Sequence, residues 1–158
     1  MHKEHRATPP LTAPDEVVVF IGRIRTPWLT RADCPRNVLR AREAGGSARV
    51  EIDPVYRPGL ANLSAYSHVI LLYWMDEAER DLLVQRPSHA DGPRGVFSIR
   101  SPARPNPIAL SVARVLSLNE STGLLEVEQL DCRDNTALID VKPYLPTIDS
   151  VPGATADR

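Results

Sequence analysis

The sequence predicts a mainly β protein: a small antiparallel barrel, closed or nearly closed, with few short helices. About seven short apolar or alternating runs are separated by turns, and helical patterns between them are scarce. The chain has 8 glycines but no G-x-G motif, which disfavours a Rossmann-type, doubly wound fold. A length of 158 residues fits one domain that buries a substantial core.

The first part of the chain predicts two strands separated by a long loop. Residues 1–16 are rich in proline and charge and are expected to form a flexible arm. Val17–Ile24 is β-branched and apolar, which predicts a buried strand. Residues 26–44 form a polar loop with one helical turn near Val38, and Ala48–Asp53 alternates as a half-buried strand does.

The middle of the chain combines the most apolar strand with two predicted short helices. The segment Tyr56–Ala65 is expected to hold one of these helices. His68–Met75 is the most apolar run and predicts a central strand. Asp76–Val84 starts with an aspartate and ends in apolar residues, which predicts a short capped helix. Val96–Arg100 is expected to be a strand that leads into a proline-rich loop.

The last part predicts a hairpin and one more strand. Ile108–Leu118 carries apolar residues at alternate positions with small or polar residues between them, a period of two that indicates a long strand. A glycine-containing turn leads to Leu124–Leu130, which completes the hairpin. Ala137–Lys142 is the final strand, and residues 150–158 are expected to be a flexible tail. The predicted domain therefore spans residues 17–149.

Composition narrows the classes of function. Aromatic residues at 5% are too few for a broad base-stacking surface, and a net charge of −1 argues against indiscriminate nucleic-acid binding. No apolar run approaches the ~20 residues of a membrane span, and the N-terminal segment lacks the apolar centre of a secretory signal. A cytoplasmic protein without membrane contact is expected. Cys34 and Cys132 are far apart and the histidines lack ligand spacing, so no metal is predicted.

The most informative segment is the loop that follows Arg100. Its prolines fix φ at about −65° and remove backbone donors, so the loop is stiff. Stiffness holds Arg100, Arg104 and Asn106 in place without a large loss of entropy on binding. Residues 92–119 contain no acidic side chain. A solvated surface turn and an anion or nucleotide site are equally compatible with these observations.

Irregular segments at the ends of predicted strands are expected to meet at one end of the barrel, since binding residues often lie on such connections. The segments are residues 35–37, 75–76, 100–110 and 130–136. Taken singly, Arg36 is explained as a solvated arginine and Asp76 as a helix N-cap. Asp131 and Asp134 are explained as turn formers. The sequence contains no recognisable hydrolase motif, so transfer from an activated donor fits it better than hydrolysis.

Several of these segments carry a resemblance to a known family. They are IGRIRTP (Ile21–Pro27), CPRN (Cys34–Asn37), YSHVILLYWMD (Tyr66–Asp76), RGVFSIRSPARPNPIALS (Arg94–Ser111) and DNTALIDVKPYLP (Asp134–Pro146). From about Val17 to Asp149 the chain resembles the TrmO family of tRNA methyltransferases, also called TsaA-like or YaeB-like. The resemblance implies a small β-barrel, a homodimer, and the use of S-adenosyl-L-methionine outside the common methyltransferase fold.

The resemblance also implies the residues of the site. The cofactor-binding positions carried over by motif are Pro35, Arg36, Asn37, Met75, Asp76, Arg100, Leu110, Cys132, Arg133, Asp134, Asn135 and Thr136. Candidates for contacts with the substrate are Arg104, Asn106 and Lys142. Asp140 and Tyr144 are the candidates for a base that assists the reaction.

The activity implied is in-line transfer of a methyl group to the exocyclic nitrogen of threonylcarbamoyl-adenosine at position 37 of tRNA, in the anticodon loop. Orientation of the reactants supplies most of the catalysis in such a transfer. Two alternatives stay open. One is a methyltransferase that acts on a small-molecule acceptor, and the other is a non-catalytic module that binds S-adenosylmethionine.

The chain departs from the family's motifs at three positions. Asn37 stands where the family has glutamine, which shortens the reach of the carboxamide. Ala109 and Asn135 each stand where the family has glycine. Asparagine tolerates left-handed backbone, so Asn135 is expected to preserve its turn, whereas Ala109 gives up any conformation that requires glycine.

Overall fold

The protein is described from a computed structural model that covers residues 2–6 as backbone and residues 16–87 and 90–156 in full. The strands are β1 (His2–Arg6), β2 (Gly22–Arg25), β3 (Ser47–Ile52), β4 (His68–Trp74), β5 (Leu82–Arg86), β6 (Arg94–Gly95), β7 (Ile108–Asn119), β8 (Leu124–Glu128) and β9 (Thr136–Pro143). The helices are α1 (Val38–Ala44) and α2 (Pro146–Asp149), with short 3₁₀ turns at Pro54–Leu60, Leu63–Ala65 and Val96–Ser98. Among the described residues, no helix has the length and apolar character needed to cross a membrane.

Six of the strands form a closed antiparallel barrel. Their order is β2-β3-β8-β7-β4-β9, and β9 pairs back with β2 through Gly22 opposite Leu138. The strands β1, β5 and β6 form a small separate sheet with β5 in the middle. The predicted mainly β class and the closed barrel with few short helices are confirmed. The helical turn predicted near Val38 is the helix α1.

Alternate residues of the barrel strands fill the interior. The fully buried side chains include Ile24, Val50, Val69, Leu71, Leu125, Val127 and Leu138. Each such side chain contributes about 1.5–3 kcal/mol through removal of apolar surface from water. The barrel is therefore a packed core, and binding surfaces lie at its ends or on its outside.

Strand β7 has an unusual distribution of side chains. Its small residues Ser111 and Ala113 face the interior, whereas Ile108, Leu110 and Leu116 are exposed on the outside by 41%, 45% and 43%. The neighbouring strand β4 places half-buried apolar residues on the same outer surface, opposite these positions. The outer surface of the β4–β7 pair is consequently apolar, which is uncommon for a surface exposed to water.

The first predicted strand is shorter than expected. Pairing of β2 starts at Gly22, and Val17–Phe20 are exposed, so the expectation of a buried strand over Val17–Ile24 is wrong for its first half. The reason lies at Gly22, where a Cβ atom would lie 2.0 Å from the carbonyl oxygen of Glu51. The close approach of β3 begins at this glycine, and the exposed residues Val17–Phe20 pair with none of the described barrel strands.

The helix predicted for Asp76–Val84 is not formed. Residues 75–81 make turns, and the LLV run enters strand β5, which pairs with β6. Backbone pairing explains the difference: β5 pairs with β1 on one side and with β6 on the other, which a helix over these residues could not do. Tertiary packing here overrides local propensity.

The strand predicted for Val96–Arg100 is replaced by a 3₁₀ turn at Val96–Ser98 and an irregular loop. The Arg104 guanidinium donates to the carbonyl oxygens of Val96 and Ile99, so these carbonyls bond a side chain instead of a neighbouring strand.

The terminal segments were both expected to be flexible. The backbone of residues 2–6 forms β1 and pairs with β5, which differs from that expectation, and residues 7–15 lie outside the described part of the chain. Residues 150–156 are exposed and contain no helix or strand. The boundaries of the domain at residues 17 and 149 stay a prediction.

Candidate cofactor-binding site

One end of the barrel gathers most of the residues that the sequence singled out. At this end β2, β4 and β8 finish and β3, β7 and β9 begin, as the antiparallel pairing requires. We call it the site end. The segments that adjoin it are residues 35–37 before α1, residues 75–76 after β4, residues 100–107 before β7, and residues 129–135 between β8 and β9.

Arg133 joins two of these segments. Its guanidinium lies 3.3 Å from the Asp76 carboxylate and 3.1 Å from that of Glu77. The turn that follows β8 is thereby held against the turn that follows β4. Asp76 thus pairs with an arginine across the site end and caps no helix.

The turn between β8 and β9 is rigid. Thr26 donates its backbone N–H to Asp134 Oδ1 at 3.1 Å, and the Asp134 N–H donates to the Trp28 carbonyl at 2.7 Å. The Thr136 hydroxyl donates to the Arg133 carbonyl at 2.7 Å. These bonds fix the positions of the predicted cofactor residues 132–136.

The segment before α1 contains an arginine that is not paired with any described residue. Asn37 caps the helix, since its Oδ1 accepts the N–H of Arg40 at 3.0 Å. The Arg36 side chain is exposed and has no hydrogen bond or ion pair with the residues that the structure describes. Met75 is half-buried, and its N–H donates to the Pro107 carbonyl at 2.9 Å, which ties the end of β4 to the start of β7.

Strands β7 and β8 separate near the site end. Their pairing reaches only to Val115 opposite Val127, so the first half of β7 has no strand on that side. Arginine side chains bond its carbonyls instead: Arg100 donates to Leu110 at 3.1 Å, and Arg42 donates to Val112 at 2.7 Å. The seam between β7 and β8 is therefore lined by two guanidinium groups.

A cluster of polar groups lies inside the barrel beside this seam. The hydroxyls of Tyr73 and Ser111 are 2.9 Å apart, and Tyr73 is only 3% exposed. Burial raises the pKa of Tyr73, and burial also raises the pKa of the Asp131 carboxyl, against the opposing effects of the Tyr73 hydroxyl and Arg100. Burial and then Asp131 raise the pKa of the Cys132 thiol to about 12. Burial thus raises the pKa of all three titratable groups, Tyr73, Asp131 and Cys132.

Sequence reasoning missed this cluster. Asp131 was interpreted as a turn former, and Tyr73 and Ser111 were not singled out. The available signal was the pair of hydroxyl side chains in otherwise apolar strands. The sequence does not show that β4 and β7 are neighbours, so it does not indicate that the two hydroxyl groups meet.

The loop residues Arg104 and Asn106 differ in their surroundings. The Arg104 guanidinium is turned inward onto the carbonyls of its own loop, with its Nε buried and unbonded. Asn106 is exposed, and its Oδ1 lies 3.5 Å from the Arg80 guanidinium. Arg80 also covers the Trp74 ring at 5.3 Å. Arg104 stiffens the loop and does not point to solvent.

The sequence and the fold of the chain are both similar to those of known proteins. The family "tRNA-methyltransferase O N-terminal domain" matches residues 23–150 of the chain. The chain belongs to the TrmO family. The prediction of this family, and of S-adenosyl-L-methionine as its cofactor, is confirmed.

Relatives within the TrmO family differ in what their names state. An S-adenosyl-L-methionine-binding protein of Archaeoglobus fulgidus is 40% identical over 131 residues, which cover 83% of this chain and 91% of that protein. The tRNA (adenine(37)-N6)-methyltransferase of Escherichia coli is 31% identical over 144 residues, 86% of this chain and 60% of the enzyme. A crystal structure of TrmO from Pseudomonas aeruginosa superimposes with a TM-score of 0.70 at 30% identity and covers 90% of this chain. This chain spans 61% of that crystallised one.

Two of the three departures from the TrmO motifs have a structural explanation. Asn135 has a φ of 64°, so asparagine takes the left-handed conformation in place of glycine, as expected. Ala109 lies in the extended strand β7 opposite Tyr73, where no positive φ is needed. The expected loss at Ala109 is therefore not observed. For Asn37, the carboxamide oxygen is used by the helix cap.

The remaining candidates lie away from the site end within one chain. Asp140 and Lys142 form an ion pair of 2.7 Å, and Lys142 is opposite Ile70 in the register of β9 with β4. The Tyr144 N–H donates to the His68 carbonyl, at the other end of β4. At about 3.3 Å per residue, Lys142 is roughly 20 Å along the strand from Thr136. A single chain does not bring Asp140, Lys142 and Tyr144 together with the cofactor residues.

Proposed function

We propose that the protein methylates the exocyclic nitrogen of threonylcarbamoyl-adenosine at position 37 of tRNA, with S-adenosyl-L-methionine as the methyl donor. One observation carries the proposal: the segments that hold the family's cofactor residues adjoin one end of the barrel, around the Arg133–Asp76 pair. The name of the E. coli relative, a tRNA (adenine(37)-N6)-methyltransferase, supports the choice of acceptor.

The side chains at the site end fit the chemistry of the cofactor. S-adenosylmethionine carries a positive sulfonium and amino group, a carboxylate and an adenine ring. Asp76 offers a carboxylate to the positive groups, Arg36 offers an unpaired guanidinium to the carboxylate, and Met75 and Leu110 offer apolar surface to the ring. When bound, the cofactor supplies an activated methyl group. The protein's own part is to orient the acceptor and to accept its proton.

The acceptor nitrogen, in a urea-like linkage, attacks well only after it loses its proton. We propose Asp131 as the group that takes this proton. Burial raises the pKa of its carboxyl, which makes it a stronger base than a solvated aspartate. The Tyr73 hydroxyl lies in its environment and partly opposes this rise in pKa.

RNA contacts are proposed for the loop that carries Arg100. Phe97 is 85% exposed on this loop, and an exposed ring is a stacking partner for an unstacked base. Arg104, which bonds the Val96 and Ile99 carbonyls, acts on the substrate through the shape of the loop. Asn106 is exposed at the loop's end and is proposed to contact the substrate directly.

A homodimer is proposed on the apolar outer surface of β4 and β7. Exposed Ile108, Leu110 and Leu116 give this surface the character of an interface. Asp140 and Lys142 lie beside it on β9, opposite Leu72 and Ile70. In such a dimer, Asp140, Lys142 and Tyr144 contribute to the active site of the partner subunit. In a monomer they do not contribute to an active site.

A second candidate function is favoured by the names of the relatives. Several of them, including VirR of Rhizobium radiobacter at 38% identity over 129 residues, are named only as S-adenosyl-L-methionine-binding proteins. A non-catalytic module that binds the cofactor would carry such a name. A methyltransferase for small molecules is the remaining alternative.

Incubation with tRNA that carries or lacks the threonylcarbamoyl group, followed by nucleoside mass spectrometry, tests the proposal. We expect one added methyl group on the modified adenosine and none on the unmodified one. Asp131→Asn should bind the cofactor normally and lose methyl transfer by about 100-fold or more. The control Asp53→Asn changes an exposed carboxylate at the opposite end of the barrel and should retain activity.

The alternatives give different results in the same experiment. Calorimetric binding of the cofactor without a methylated product from tRNA or metabolites identifies the binding module. Transfer of labelled methyl into small molecules alone identifies the small-molecule methyltransferase. Full activity of Asp131→Asn contradicts the proposed base.

A further inference from the structure

A second cleft opens at the rim of the barrel, on the other side of the turn that carries Asp134. Strands β2 and β3 stop pairing at Arg25 opposite Arg49, and the chain beyond Arg25 turns toward residues 130–134. The cleft between the separated strands has a volume of about 390 Å³. We call it the rim cleft; its lining includes Arg25, Gly45, Gly46, Arg49, Gln129 and Asp134.

Gln129, which lines the rim cleft, has an unused hydrogen-bond acceptor. It continues the inward-facing series of β8 after Leu125 and Val127 and is 2% exposed. Its Oε1 atom is buried and has no hydrogen-bond partner. A buried acceptor without a partner is unfavourable, and such groups are rare in folded proteins. A ligand with an N–H donor would satisfy it.

The charges around the rim cleft leave one cation free. Arg25 is 3.0 Å from Glu51 and 3.6 Å from Asp134, and Asp134 Oδ1 accepts the Thr26 N–H. Arg25 thus pairs with both carboxylates, and neither of them pairs with Arg49. Arg49 is exposed and has no hydrogen bond or ion pair with any described residue. An anion at Arg49 meets a cation whose charge is not already balanced.

Two glycines keep the rim cleft open. Gly45 and Gly46, which end α1, have φ values of +78° and +89°. Backbone of this kind is strained for other residues, so this wall of the cleft carries no side chains. A Cβ atom on Gly46 would lie 3.8 Å from Gln129 Nε2, so the glycine directly faces the glutamine.

We propose that the rim cleft binds a nucleoside monophosphate unit. Its phosphate lies on Arg49 and its base donates an N–H to Gln129 Oε1. The proposal rests on the proposed function only for the source of the unit, which is then a nucleotide of the RNA substrate next to the methylated one. The carboxylate of S-adenosylmethionine is already assigned to Arg36, so Arg49 is left for the phosphate of a nucleotide.

Calorimetric titration with AMP and with an unmodified anticodon stem–loop RNA tests the site. Gln129→Met keeps the size of the side chain and removes the acceptor. We expect it to weaken AMP binding by about 10-fold, to leave cofactor affinity unchanged, and to raise the melting temperature by about 2 °C or more. Arg49→Gln should weaken AMP binding but leave adenosine binding unchanged.

Two controls match these variants. Gln85→Met removes a buried glutamine whose amide is fully bonded, to the Ala103 carbonyl at 2.5 Å and the Ser101 hydroxyl at 2.9 Å, and should lower the melting temperature. Arg57→Gln removes an equal charge at the opposite end of the barrel, where Arg57 bonds the Ser121 carbonyl. It should leave AMP affinity unchanged.

The outcomes separate the source of the nucleotide from the existence of the site. Parallel loss of AMP and RNA affinity identifies a nucleotide of the substrate, and loss of AMP affinity alone identifies a free nucleotide; both support the site. Unchanged AMP affinity in Gln129→Met, or no AMP binding to the unaltered protein, overturns it. Loss of cofactor affinity alone assigns the cleft to the cofactor and also overturns it. Failure of tRNA methylation leaves the AMP results standing, so the proposed function fails separately.

Discussion

Replacement of Arg133 by glutamine separates the stability of the protein from its affinity for the cofactor. Arg133 bonds Asp76 and Glu77 at 3.3 and 3.1 Å, with side-chain exposures of 34%, 62% and 51%. Ion pairs exposed to this degree contribute about 0.2–1 kcal/mol each to folding, because water and salt screen them. We therefore expect the variant to lose less than about 2 kcal/mol of stability.

The variant should also bind the cofactor more weakly. Arg133 is the link between two turns that carry predicted cofactor residues. Without it, binding must order both turns, which costs on the order of 1–2 kcal/mol and weakens binding about 5–30-fold. For a chain of this size, each 1 kcal/mol of folding energy shifts the melting temperature by about 2–4 °C.

Calorimetry with S-adenosylmethionine and thermal melts at low and high salt measure both quantities. The control Arg40→Gln removes an ion pair of 2.6 Å to Glu43, with side-chain exposures of 69% and 62%, that does not link the two turns. It should lose comparable stability and retain full affinity. An Arg133→Gln protein that binds the cofactor as tightly as the unaltered protein refutes the reasoning.

Three other changes test separate features. Gly22→Ala places a Cβ 2.0 Å from the Glu51 carbonyl oxygen and should lower the free energy of unfolding, measured in urea, by about 1–3 kcal/mol or more. The control Gly59→Ala, whose Cβ would have no atom within 4 Å, should leave it unchanged. Equal urea midpoints for the two variants contradict this prediction. The folded protein raises the pKa of Asp131, so its stability falls as pH rises from about 3.9 toward neutrality. Asp131→Asn should therefore gain stability relative to the unaltered protein over this range, and a loss would contradict the pKa shift. A pKa of about 12 keeps the Cys132 thiol protonated, so iodoacetamide should modify it only when the protein unfolds. Peptide mass mapping measures the modification, and rapid labelling of Cys132 in the native protein contradicts the prediction.

The barrel and the location of its site end follow from local sequence patterns. Strands such as Ile108–Leu118 are marked by a period of two that holds whatever their neighbours are. Once neighbouring strands are antiparallel, the residues after β4 and before β7 must meet at the same end. The meeting of residues 75–76 with residues 100–107 is therefore predictable without knowledge of the register.

The wrong predictions concern segments whose structure depends on contacts with residues far away in the sequence. The DEAERDLLV segment resembles a helix locally, but its pairing partner Arg94–Gly95 lies farther along the chain and selects a strand. Which side chains of β7 face the barrel interior also depends on its neighbouring strand, β4. Tyr73 needs space inside the barrel and lies opposite Ala109, so the small residues of β7 turn inward, whereas Leu110 and Leu116 turn outward.

Closure of the barrel has a consequence for how the protein is made. The pairing of Gly22 with Leu138 joins the first strand of the barrel to be synthesised with the last. Contacts between such distant segments form slowly, because a long loop of chain must close before they are gained. The nascent chain therefore holds an open sheet with unpaired edges until β9 is synthesised. Because the turn of residues 131–136 leads directly into β9, the cofactor site is completed in the same late step.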